Sequence, residues 1–359
     1  MSARYEIVRY RPEFKREVAE LQRHLWGADT ALNAAYLEWK YEWNPYVEGP
    51  LIYLGLCGSE VVGMRGMFGS KWQVGHPCQT FLALCGSDSV VDPQHRHRGL
   101  LRNMVRAALD DLVGGSYAYA FSLSAGPITS RTCRALGWRS TGSLQPVIRA
   151  CPWSRLPLLL PSTHRNPFYL LDQNGWQREG HISPHISVEQ SPRPQAMAEL
   201  VERIGSNGRI QHVRDHQYFA WRFQNPRCVY RFLFWDDGRL EGYLVLRQEI
   251  SSRQGGVNVV DWEATGRHAR AELLQAALHW CSSARLTIWS ATLPDEARAI
   301  LNDAGFELPG VMRRLLGHPR SVLVRPLRQE ILETDWGLAS RQLLDLANWD
   351  VRMIYSDDQ

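Results

Sequence analysis

Along the first 150 residues the spacing of apolar and polar positions switches period several times. "YEIVRY" reads as a short strand. From Arg11 to Leu25 the apolar residues fall at Phe14, Val18, Leu21 and Leu25, the spacing of one helix face. A second helical stretch runs through "AAYLEWKYEWNP" and is expected to stop before Pro45. "LIYLGLCGSEVVGMRGMFG" holds two strand-like runs around Gly58-Ser59 and predicts a hairpin. "TFLALCGSDSVV" predicts a further strand, Gly99 to Val113 a helix, and "SYAYAFSLSA" a strand. "ITSRTCRALGW" reads as a short helix closed at Gly137. A helix pair, a hairpin, and then strand, helix, strand, helix make a mixed α/β pattern.

Residues 151–190 cluster prolines without a sustained period and read as a connector. From about Ser191 the first pattern starts again. "YLEWKYEWNP", beginning at Tyr36, is echoed with one deletion by "YFAWRFQNP", beginning at Tyr218. Both echoes precede a hairpin, the second turning at Asp237-Gly238. "VNVVDWEAT", the helix "AELLQAALHWCSS", the strand "RLTIWSATL" and the helix "DEARAILNDAGF" complete the repeat. The expected organisation is a first domain at 1–150, a connector at 151–190, a related domain at 191–330 and a C-terminal tail at 331–359.

At 359 residues, with 44% hydrophobic and 22% charged residues, the chain has the make-up of a folded protein of two domains. The net charge of +4 is a mild excess. Basic residues are interleaved with acidic ones such as Asp110 and Asp111, which argues against a nucleic-acid partner. The seven cysteines are scattered without a Cys-x-x-Cys pair, as in a reducing compartment. No apolar run approaches the roughly 20 residues of a membrane span, and no signal-peptide core opens the chain. The expectation is a cytoplasmic protein. His212 and His216, and His95 and His97, have no convincing third ligand, so no metal is expected.

"VVDPQHRHRGLLRNMV", Val90 to Val105, carries the candidate chemistry. A strand ends at proline and passes through His95, Arg96, His97 and Arg98 into Gly99 and a helix. The N–H groups and partial positive charge of a helix N-terminus suit phosphate, glycine allows close approach, and arginine neutralises charge. This segment resembles the acyl-CoA signature of the GNAT superfamily of N-acyltransferases, Arg/Gln-x-x-Gly-x-Gly/Ala. Arg96 and Gly99 match the first and fourth positions, and Leu101 stands at the sixth, where glycine or alanine is usual. "SRTCRALGW" is similar to the superfamily's closing helix, ending at Leu136, Gly137 and Trp138. The second copy lacks the Arg-x-x-Gly spacing at Gly266 and Arg267 but keeps the ending at Ala304, Gly305 and Phe306.

The resemblance is to tandem GNAT proteins. It implies two folds, each a mostly antiparallel mixed sheet flanked by helices, with acetyl-CoA or another acyl-CoA bound by the first and the second degenerate. The cofactor-binding residues it implies are Val90, Val91, Arg96, His97, Arg98, Gly99, Leu100, Leu101 and Arg102. The implied reaction is direct attack of an amine on the thioester, the amine belonging to a small molecule or sugar. In many members a tyrosine four residues before the closing glycine protonates the departing thiolate; here that position is Cys133. Asp88, in the fourth strand, is a candidate base or a group making local hydrogen bonds. Ser124, at the end of the fifth, is a candidate for binding pantetheine or acceptor, or for satisfying a turn. Glu38 and Glu42 face an amine or solvent, and Trp39 and Trp221 are expected to pack. Two alternatives stand beside this reading: a Fem-type transferase using aminoacyl-tRNA, and a non-catalytic CoA-binding module, to which Leu101 and Cys133 point.

Overall fold

The computed structural model describes residues 4–149, 180–249, 256–281, 285–309, 321–328 and 336–356. Most of the connector expected at 151–190 lies outside them, as do 331–335 and 357–359 of the tail. The N-terminal elements are β1 (Tyr5–Arg9), α1 (Lys15–Leu21), α2 (Arg23–Trp26), α3 (Thr30–Leu37), β2 (Leu51–Cys57), β3 (Glu60–Val74) and β4 (Gln79–Val91). They continue with α4 (Leu100–Leu112), β5 (Tyr119–Ala125), α5 (Pro127–Arg134), β6 (Arg139–Ser143) and β7 (Pro146–Arg149). Then come β8 (Gly180–His181), β9 (Ile186–Glu189), α6 (Pro194–Ile204), β10 (Ile210–His212), α7 (His216–Arg222), β11 (Cys228–Asp236) and β12 (Leu240–Glu249). These are followed by β13 (Gly256–Ala264), α8 (Arg267–Trp280), β14 (Arg285–Trp289), α9 (Asp295–Asp303) and β15 (Ser321–Pro326).

These elements build two mixed sheets flanked by helices. The first runs β1-β2-β3-β4-β5-β15-β6, with β10 on β3. The second runs β7-β14-β13-β12-β11-β9-β8. Each half of the chain lends the other a strand. Residues 321–326 lie between β5 and β6, with Val324 opposite both Phe121 and Arg139. Residues 146–149 edge the second sheet, with Val147 opposite Ile288. The exchange leaves no trace in hydrophobic period, because a strand reads alike whichever sheet receives it. Strands β8 and β9 fall within the expected connector; four residues or fewer are too short for alternation to register.

A shared aromatic core joins the halves, including Trp39, Trp72, Phe121, Tyr218, Phe232, Tyr243, Trp349 and Tyr355, all buried. Trp39 and Trp221 stack with centroids 5.2 Å apart. Each indole N–H donates to the other's main-chain oxygen, at 2.9 and 2.8 Å. The repeated Asn-Pro turns also match: Asn44 Oδ1 accepts from Tyr46 N at 2.9 Å, and Asn225 Oδ1 from Arg227 N at 3.0 Å. The echoed sequences thus meet as a near-symmetric pair, and the two tryptophans pack as expected.

Helix α4 buries Leu100, Met104, Val105, Ala108, Leu109 and Leu112, a stripe at helical spacing. It lies hard against the first sheet: a Cβ on Gly55 would come within 2.7 Å of Leu100 Cδ1. That close approach fixes the N-terminus of α4 at the sheet's open end.

Candidate acyl-donor and acceptor site

The site begins with an irregularity in β4. Met64 pairs with Val90 and Gly66 with Ser87, so Asp88 and Ser89 together oppose Arg65. This is a β-bulge, and Asp88 adopts a left-handed φ of 47° within it. On its other side β4 pairs in parallel with β5 only from Ala83–Tyr119 to Cys85–Phe121. Beyond Cys85 the strands part, and β5 pairs onward with β15 alone. A V-shaped opening results, with the bulge on one wall and Ser122 and Ser124 on the other.

The basic turn stands beside this opening. Asp92 Oδ1 accepts from Gln94 N at 2.9 Å, and Arg96 Nε donates to Val91 O at 3.1 Å, folding the chain back on its strand. Tyr5 OH and His95 Nδ1 are 3.0 Å apart. His97 and Gly99 both take left-handed φ, 62° and 76°. Gly99 then occupies the N-cap of α4, where no side chain caps the first turn. A Cβ on Gly99 would meet nothing within 4 Å, so the requirement for glycine there is its φ.

A cavity of about 500 Å³ is lined by Val90, Val91, Arg96, His97, Gly99, Leu100, Leu101 and Arg102, with Thr129 and Thr132 of α5 opposite. Eight of the nine expected cofactor-binding residues therefore line one space. The ninth, Arg98, turns away and donates to Tyr5 OH at 3.2 Å. A second cavity, of about 280 Å³, fills the V and is lined by Arg65, Gly86, Asp88, Ser122 and Ser124. The two cavities share Leu25, Ser89 and Thr129.

Asp88 is 7% exposed and held from three sides. Tyr41 OH donates to Oδ2 at 2.7 Å, while Lys40 Nζ and Ser87 Oγ donate to Oδ1 at 3.3 and 3.2 Å. Lys40 is itself buried and lies 5.0 Å from the Tyr36 ring centroid. The local hydrogen bonding weighed for Asp88 is thus present, and the residue also faces the second cavity. Ser124 Oγ lies 3.0 Å from Ser356 Oγ, so the C-terminal segment reaches this wall.

Cys133 is fully buried beside Leu100, Met104 and Trp138 and lines neither cavity. Burial raises its thiol above the ordinary value, partly offset by the charge of Arg65. Glu38 and Glu42 both pair with Lys15, at 2.8 and 2.9 Å, away from either cavity. His212 is buried, stacking on Tyr355 at 4.7 Å. Among the described residues no group of three or more His, Cys, Asp or Glu is arranged to hold a metal, and no helix is long and apolar enough to cross a membrane.

Sequence reading missed Arg65, Lys40 and Ser89. The signal for the first two was a lone cation inside an apolar or aromatic run, "VVGMRGMFG" and "YLEWKYEW".

No protein-family model matches the chain, and no curated protein matches it in sequence. Solved structures do resemble it. A GCN5-related N-acetyltransferase from Anabaena variabilis superposes with a TM-score of 0.60 at 12% identity, over 90% of this chain and 73% of that one. N-myristoyltransferase of Saccharomyces cerevisiae, solved with bound myristoyl-CoA, gives 0.57 at 9% identity, over 90% and 79%. A tandem GNAT protein of the clavulanic acid biosynthesis pathway gives 0.52 at 12% identity, over 90% and 99%. With its strand bulge, parted strands and repeated architecture, the chain has the tandem GNAT fold.

Proposed function

We propose that the protein is an acyl-CoA-dependent N-acyltransferase, with acetyl-CoA the simplest donor and an amine of a small molecule or sugar the acceptor. The observation that carries this reading is the left-handed turn at His97 and Gly99, which opens α4 on the rim of a cavity continuous with the gap between β4 and β5. Uncapped N–H groups at the start of α4, with Arg96 and Arg102 on the same rim, suit the pyrophosphate of CoA. The gap leaves the main chain of β4 without a neighbour on that side, a place for a pantetheine arm to pair.

In this mechanism the acceptor enters through the second cavity, where Asp88 and Ser124 offer oxygens to position its nitrogen. The amine attacks the thioester carbonyl directly, and no covalent enzyme intermediate is required. The Tyr41, Lys40 and Ser87 contacts hold Asp88 in one orientation, which fixes the line of approach. The aminoacyl-tRNA alternative would favour a long helical arm, and the longest helix among the described residues is the 14-residue α8.

The test is calorimetric titration with acetyl-CoA, followed by an amine panel monitored by release of free thiol. Micromolar binding with turnover on an amine is expected. Binding without turnover on any amine would favour a CoA-binding module, and absence of binding would remove this reading.

A further inference from the structure

Among the described residues, no carboxylate pairs with the buried cation Arg65. It is 1% exposed, and its Nη1 donates to Ser89 Oγ at 2.6 Å. Among the described residues, its Nε and Nη2 have no hydrogen-bond partner. The nearby carboxylate of Asp88 is engaged instead by Tyr41, Lys40 and Ser87. Burying a guanidinium with N–H groups unpaired costs several kcal/mol. Such a cost is understandable where an anion arrives during function.

The surroundings say where that anion forms. A Cβ on Gly86 would lie 1.9 Å from Arg65 Nη2, so the guanidinium rests against β4 where it parts from β5. Arg65 lines the second cavity, and Ser89, which holds it, lines both. The cavity at the Gly99 turn meets the second cavity at this junction through Leu25, Ser89 and Thr129, where the thioester end of a donor held by its phosphates at that turn would lie. On α5, Cys133 feels the Arg65 charge.

Resting on the acyl-CoA reading above, we propose that Arg65 stabilises the negative charge on the departing CoA sulfur. The amine lone pair forms the N–C bond, the C–S bond breaks, and its electron pair passes to sulfur. The amine proton leaves to water, and the thiolate is held beside the guanidinium until it takes a proton from water. Cys133, buried and with its thiol shifted upward, is poorly placed to act as the acid. A fixed cation does the same electrostatic work without a proton transfer.

Reduced CoA itself is the probe, bound to the full-length protein. The ultraviolet absorbance of thiolate is followed across pH as the difference between complexes with CoA and with desulfo-CoA, which cancels the protein's own cysteines and tyrosines. In the wild type the thiol should titrate at a pH at least about one unit below free CoA, the usual effect of an opposite charge within a few ångströms. Arg65→Lys should keep part of that shift and Arg65→Gln should lose it, with CoA affinity changed little at pH values where the bound thiol stays protonated. Bound CoA that titrates like free CoA in the wild type overturns the inference, whether or not either variant folds. Failure of the wild type to bind CoA, seen by calorimetry beforehand, overturns the underlying reading and this inference with it.

Discussion

The two copies keep the same break in their sheets and differ in what occupies it. In the second sheet Val245 pairs with Asp261 and Leu246 with Val259, so Val260 is the extra residue, as Asp88 and Ser89 are opposite Arg65. Strands β13 and β14 pair in parallel only from Gly256–Arg285 to Asn258–Thr287, then separate like β4 and β5. There the likeness ends. In the second copy the C-terminal segment enters the gap: Thr292 Oγ1 donates to Val351 O at 2.7 Å. Arg352 pairs with Asp350 at 2.7 Å and with Glu263 at 2.8 Å, and Arg214 binds Asp261 and Glu263 at 2.9 and 2.8 Å. About 10 Å³ remains, room for about one water molecule, against about 280 Å³ in the first copy. The helix starts differ too: Gly99 is left-handed at 76°, whereas Gly266 is extended at −147°. One copy has its gap closed by ion pairs; the other keeps it open, with Arg65 in its wall.

The largest expected effect is at the turn. Gly99→Glu forces a side chain into a left-handed φ and sets a carboxylate at the proposed phosphate position, and should weaken acyl-CoA binding more than about a hundredfold, from like-charge repulsion and strain together. Circular dichroism should show the fold intact. Next comes Glu263→Gln, which leaves Arg352, Arg214 and Arg270 short of a buried counter-charge and should cost about 3–5 kcal/mol in urea unfolding. Acyl-CoA affinity of the folded fraction should be preserved, since this network belongs to the closed copy.

Acid should weaken the molecule through Glu263 in this network and through His212, which stacks on Tyr355 of the shared core. Burial pushes the Glu263 carboxyl up, but Arg352, Arg214 and Arg270 outweigh it and hold it at about 2 rather than 4.5. Burial lowers His212 from 6.5 to about 3. In both cases the unfolded chain binds the proton more readily, so stability is present at neutral pH and is lost as pH falls. The His212 share goes between 6.5 and about 3, and the Glu263 share between 4.5 and about 2. Thermal unfolding across this range should show Tm dropping from pH 6.5 downward in the wild type, with a shallower slope above pH 4.5 in His212→Phe.

Smaller effects sharpen the contrast. Arg96→Ala should weaken acyl-CoA binding about tenfold, the worth of one charge-assisted hydrogen bond at a solvent-facing rim. Trp221→Phe, which removes one indole bond from the near-symmetric tryptophan pair, should cost about 1 kcal/mol of stability and leave binding unchanged.

Much of the fold was legible because its strands and helices are long enough to show their period. Helix α4 was expected at Gly99 to Val113 and runs from Leu100 to Leu112, and the hairpin turn at Asp237-Gly238 joins β11 to β12. The basic turn was legible because its glycine, arginines and helix start are consecutive. The second cavity was not, since Arg65, Asp88 and Ser124 come from three strands and meet only through the bulge and the parting of β4 from β5. Strand exchange by residues 146–149 and 321–326 was illegible for a related reason, as pairing partners far apart in sequence leave no local pattern. Cys133 shows the converse: a position aligned by motif alone sits in the core, because burial is decided by what packs over α5.

The stoichiometry of CoA binding tests the contrast between the copies most directly. Calorimetric titration of the wild type, Gly99→Glu and Gly266→Glu should give one CoA per chain in the wild type and in Gly266→Glu, and none in Gly99→Glu. Full binding by a folded Gly99→Glu protein, or its loss in a folded Gly266→Glu protein, would contradict the assignment of the donor site to the open copy.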